Sequence, residues 1–130
     1  MSVQLNHTIV SVRDKQESAT FLADILGVAP PTSFGPFLVV QVDNGVSLDF
    51  SDDYGLDELG RAHPQHYAFL VGETEFDVIF GRIQRRGLTF WADPGRSRPG
   101  EINTKDGGRG CYWEEPSGHL LEIITRPYGG

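Results

Sequence analysis

The sequence predicts an α+β fold made of two tandem βαβββ modules, and three observations predict it. First, the 130-residue chain repeats itself. HTIVSVRDKQESATFLADILG from His7 aligns with HYAFLVGETEFDVIFGRIQRRG from His66, an offset of 59. Second, each copy runs from a His-headed alternating stretch through an acidic residue (Asp14, Glu73) into a helical pattern. Each pattern carries a Phe (Phe21, Phe80) and stops at a Gly (Gly27, Gly87), a common helix terminator. Third, the copies end alike. NGVSLDF at 44–50 aligns with SGHLLEI at 117–123, each a turn feeding a strand with a carboxylate, Asp49 or Glu122, in the same place. The offset there is 73, so the second copy holds about 14 more residues, placed in the Gly-, Pro- and Arg-rich stretch 93–110.

In chain order, the alternating stretch 3–12 is a strand. Helix 14–26 follows, with Asp14 as N-cap and Phe21, Leu22, Ile25 and Leu26 as its apolar face. Strands at 29–34, 37–43 and 46–51 complete the first module. The second opens with strand 66–71 and helix 73–86, with Thr74 as N-cap and Phe76, Ile79, Phe80 and Ile83 facing inward. Strands 88–92, 109–115 and 119–126 finish it. The modules divide at about 1–60 and 61–130 of one domain. Two helices cover only one face of eight strands. The other face must curl on itself or meet another subunit. A curled mixed sheet makes a concave pocket, the expected place for a ligand.

Composition narrows the function. Eleven Lys and Arg stand against 18 Asp and Glu, a net charge of -7, which argues against a general nucleic-acid binder. Without an 18-residue apolar run no membrane span is expected. The opening MSVQLNHTIVSVRD has neither a basic n-region nor a small-residue cleavage site, so a cytoplasmic location is expected. The lone Cys111 excludes an internal disulfide and reads as a small buried strand residue.

Four ligand-type side chains occupy repeat-equivalent strand positions: His7 and Asp49, then His66 and Glu122. Alternation puts Val46, Leu48 and Phe50 on one face of their strand and Asp49 on the other. Glu122 sits among Leu120, Leu121, Ile123 and Ile124, so either face buries it, and a buried carboxylate needs a cation, a donor or a proton. Arg109 and Arg126 are alternative partners for it. Imidazoles with carboxylates suit Zn, Fe, Mn, Ni or Co as a divalent ion.

The segments LNHTIVSV at 5–12, HYAFLV at 66–71 and EEPSGHLLEIIT at 114–125 resemble the vicinal oxygen chelate superfamily over nearly the whole chain. That group includes glyoxalase I, fosfomycin resistance proteins, extradiol dioxygenases and bleomycin resistance proteins. The resemblance implies paired βαβββ modules cupping a divalent metal. It implies ligands at His7, His66 and Glu122, with Asp49 where glyoxalase-like members place a fourth carboxylate, more often Glu. Asp is one methylene shorter, so Asp49 reaches metal through water or not at all, which counts against glyoxalase I specifically. The implied chemistry is Lewis-acid activation of a small substrate that chelates through adjacent oxygens, leading to lyase, isomerase, transferase or dioxygenase reactions. The resemblance also implies a homodimer. The alternative is a metal-free, bleomycin-resistance-like protein that sequesters a cationic drug, which the net acidity would suit. A structural module without catalysis is a third reading.

Stretch 93–110 is long enough to edge a substrate site. Trp91, Arg109 and Tyr112 are the candidate substrate-binding residues, and Arg96 and Arg98 could add affinity for an anion. Tyr112 and Trp113 point to opposite faces, so only one enters the pocket. His63 and His119 each lie beside a turn and are expected to be exposed.

Overall fold

The structure is a computed structural model that describes residues 2–128. The repeat read from the sequence is a repeat of topology. In the first unit, Met1–His63, strands β1 (His7–Ser11), β2 (Thr32–Phe34), β3 (Phe37–Gln41) and β4 (Ser47–Ser51) surround helix α1 (Lys15–Leu26) in sequence. The second unit, Pro64–Gly130, holds β5 (His66–Leu70), α2 (Glu73–Arg85), β6 (Phe90–Trp91), β7 (Gly110–Glu114) and β8 (Leu120–Ile124). The eight strands form two four-stranded mixed sheets, ordered β1-β4-β3-β2 and β5-β8-β7-β6. The first strand of each unit pairs parallel with its last, and the remaining pairs are antiparallel.

Register confirms the alignment residue by residue. His7 pairs with Ser47 and Ile9 with Asp49; His66 pairs with Leu120 and Ala68 with Glu122. In both sheets the carboxylate stands two residues beyond the partner of the leading histidine. The extra residues of the second unit lie between β6 and β7, whereas β2 and β3 are joined by residues 35 and 36 alone.

Each sheet turns an apolar, buried face to its helix, and the central strands are buried on the opposite face as well, at Asp49, Ser51, Tyr112 and Glu122. In the first unit Val10, Val40, Leu48 and Phe50 are buried, alternating with exposed His7 and Ile9. Buried Ala19, Leu22, Ala23 and Ile25 of α1 supply the packing layer. In the second unit Cys111, Trp113, Leu121 and Ile123 face Phe76, Ile79 and Ile83 of α2, and Phe80 meets Phe90 edge-on at 5.0 Å. Each fully buried large apolar side chain contributes about 1.5–3 kcal/mol.

Asp14 caps α1 as expected, accepting a hydrogen bond from Glu17 N at 3.0 Å, and Gly27 ends the helix in the left-handed conformation. Thr74 does not cap α2. The helix begins at Glu73, where the sequence placed it, with Gly72 as the cap. Among the described residues, no helix is long and apolar enough to cross a membrane.

Candidate metal centre

Alternation places His66, Tyr112, Leu120 and Glu122 on the face of the second sheet opposite α2. This settles the side on which Glu122 is buried. Its side chain is 1% exposed, yet among the described residues no arginine is paired with it: Glu122 Oε1 lies 3.1 Å from His66 Nε2 and accepts a hydrogen bond from Tyr128 Oη at 2.8 Å.

His66 Nδ1 stands 3.0 Å from the Leu120 carbonyl oxygen. A carbonyl only accepts, so Nδ1 carries the hydrogen and Nε2 presents its lone pair to the carboxylate. Two acceptors at this distance need a cation between them, either a proton or a metal ion. Two donors bound at right angles to one ion at about 2.1 Å stand about 3 Å apart. The pair therefore fits two adjacent positions on a divalent ion, and the Leu120 carbonyl fixes the tautomer such a ligand requires.

Tyr112 backs this pair. Its ring stacks on His66 at 5.8 Å with 26° between planes. Burial, then the neighbouring Tyr128 and Glu122, push its phenol far above the ordinary tyrosine value, so it keeps its proton. The Tyr128 phenol is also raised: its hydrogen bond with Tyr112 acts downward, and burial with the Glu122 charge outweighs it.

Register is pinned from a turn. Glu115 Oε1 accepts hydrogen bonds from Ser117 N (2.7 Å) and His119 N (3.1 Å), while Gly118 adopts φ 95°. His119 Nδ1 accepts a hydrogen bond from Gln65 N at 2.9 Å, and Leu120 N donates to Gln65 O. These contacts fix β8 against the start of β5, and so Glu122 against His66. His119 is buried, contrary to the exposure expected beside a turn, because its ring replaces a missing backbone acceptor for Gln65. His63 is exposed.

In the first unit, His7 is exposed and its Nδ1 donates to Asn6 Oδ1 at 2.7 Å. Asp49, 8% exposed, accepts a hydrogen bond from its strand neighbour Ser47 Oγ at 3.0 Å. Among the described residues, no group of three or more His, Cys, Asp or Glu is gathered to hold an ion. The second unit by itself presents two donors.

Of the expected substrate residues, Tyr112 lies beside the donor pair, and Trp91 pairs with it in register. Arg96 stands 5.3 Å over the Trp91 ring and binds Glu114 at 2.6 Å. Arg109 is a correction. Its Nε and Nη1 bind Glu73 and Asp77 of α2 at 2.8 Å each, and its guanidinium lies 4.3 Å from the Phe76 ring centroid. Those bonds orient it to the helix side of the sheet, so it clamps α2 and does not line the donor face.

The stretch 93–110 is pinned rather than loose: Asp93 accepts from Ser97 and Arg98 amides, and Asn103 Nδ2 donates to Ala92 O at 2.7 Å.

A family model described as the Glyoxalase/Bleomycin resistance protein/Dioxygenase superfamily matches residues 4–123. The chain belongs to that superfamily. Within this glyoxalase-type superfamily, it is similar to the solved structure of Oxidase ChaP-H1, at 67% identity and a TM-score of 0.92 over 99% of this chain and 100% of that one. Oxidase ChaP-H2 is 60% identical, with a TM-score of 0.91 over 100% and 98%. Glutathione transferase FosA of Serratia marcescens is 29% identical over 95% of this chain and 81% of its own length.

Proposed function

We propose that the protein is a divalent-metal-dependent oxidase, acting with dioxygen on a small substrate that offers two adjacent oxygens. The observation that carries the metal reading is the His66–Glu122 pair. A lone pair and a carboxylate oxygen are held 3.1 Å apart by the Leu120 carbonyl. Oxidase is favoured among the superfamily's reactions by the 67% and 60% identity to proteins named as oxidases.

In this reading His66 Nε2 and Glu122 hold the ion, and His7 of the first unit supplies a third donor, from the same chain or from a second copy in a homodimer. Asp49 is the weakest ligand candidate, since its oxygen is already engaged by Ser47. A bound divalent ion supplies Lewis-acid activation of the chelating oxygens. Tyr112 orients His66 by stacking, and Trp91 supplies a flat apolar wall beside it. The site works in the cytoplasm in this reading.

The test is metal content of protein purified without chelators, beside His66→Ala and Glu122→Gln. About one equivalent of Fe, Mn, Ni, Co or Zn, lost in both variants, is the expected result. Oxygen uptake with a panel of catechols then distinguishes the oxidase from a transferase, whose readout is thiol consumption with an epoxide. Failure to bind any of these ions after reconstitution refutes the metal reading and favours sequestration of a cationic drug.

A further inference from the structure

We propose that Tyr128 is a positioning residue of the metal centre: its hydroxyl aims the Glu122 carboxylate, and a folded-back C-terminal strap delivers it. The inference rests on the metal-binding reading above. An extended chain rises about 3.3 Å per residue, so six residues would carry the chain about 20 Å past Glu122. Instead β8 stops at Ile124, and Tyr128 Oη donates to Glu122 Oε1 at 2.8 Å. The segment 125–128 therefore doubles back across the donor face.

The return is built into the fold. Arg109 N donates to Thr125 Oγ1 at 2.8 Å, and Thr125 N donates to Arg109 O at 3.0 Å. Gly108 leaves room for the bend: a Cβ there would lie 2.6 Å from Thr125 Oγ1 and 2.8 Å from Arg126 Cγ. The inserted stretch of the second unit thus ends by seating the strap.

The contact is made by the hydroxyl and not by burial of the ring. Tyr128 remains 52% exposed, while the carboxylate it reaches is 1% exposed. Glu122 Oε1 also faces His66 Nε2, so the Tyr128 donor occupies one lone-pair direction and leaves the other aimed at the imidazole. A carboxylate ligand held by an outer donor loses about 10- to 100-fold in metal affinity when that donor is removed.

The experiment is Co²⁺ binding by chelator competition, with the visible absorption of the bound ion, on the wild type, Tyr128→Phe and Gly108→Ala. Melting of each metal-free protein is recorded alongside. The expected result is tenfold or greater loss of affinity and a shifted absorption band in Tyr128→Phe, with the metal-free melting temperature unchanged. Gly108→Ala keeps the hydroxyl but displaces the strap, and loses affinity in the same direction. If the wild type binds Co²⁺ and Tyr128→Phe binds equally or more tightly, the Tyr128 role is overturned and the metal reading stands. Affinity that falls only together with the metal-free melting temperature also counts against it. A wild type that binds no Co²⁺ overturns both.

Discussion

At the scale of single residues, the two sulfur- and oxygen-bearing neighbours on β7 show how alternation sorts chemistry. Cys111 faces the α2 side, fully buried, and burial with the nearby Glu122 charge pushes its thiol up to about 12. A thiolate is the reactive species, so Cys111 is expected to resist iodoacetamide at pH 8 in the native protein and to react stoichiometrically after denaturation. Labelling of the native chain within minutes would contradict this placement. Tyr112, one residue on, faces the donor pair. Which of Tyr112 and Trp113 is buried against the helix follows from Cys111 and Leu121, and alternation made their opposition legible in the sequence. The side chosen by Glu122 was not legible, because all four of its neighbours on β8 are apolar. The role of Tyr128 and the burial of His119 were missed for another reason. Their partners, Glu122 and Gln65, are reached through a reversal of the chain and across 54 residues, which no local pattern encodes.

At the scale of elements, α2 is held to its sheet by more than its apolar face. Thr125 and then Arg109 hold the Glu73 carboxyl below its usual value of 4.5. A lowered carboxyl adds stability above its unfolded pKa and loses it as pH falls through the folded one. Glu73→Gln should therefore melt below the wild type near pH 7, and the gap should close as pH drops below 4.5. A gap that persists unchanged at pH 3 would assign the effect to packing. The helices were legible because their apolar residues recur at helical spacing. Their caps were less so: Asp14 announces one, whereas Gly72 caps α2 with no side chain to reveal it. Strand lengths were overestimated at β1, where alternation continues upstream of His7 but the ladder with β4 begins only at Ser47.

At the scale of the whole molecule, the reading divides the ligands between two units, and thermal melting tests that division. An ion bound only by the folded protein stabilises it by about 2.7 kcal/mol at 100 times its dissociation constant. A rise in melting temperature with Co²⁺ is expected in the wild type and should be lost in His7→Ala as well as in His66→Ala. A full rise in His7→Ala would confine the site to the second unit. The duplicated architecture itself was legible because its two leading histidines and two trailing carboxylates keep one order in sequence, and they share one register in space. Which unit supplies ligands was not legible, since each copy offers a histidine and a carboxylate at equivalent strand positions. The turn from Glu115 to His119 has an implication for descent. One added or lost residue there would rotate Glu122 onto the helix side, whereas the hairpin between β6 and β7 has already absorbed a long insertion without disturbing the ladder. Among descendants of this gene, gains and losses of length should accumulate before β7 and be purged after it.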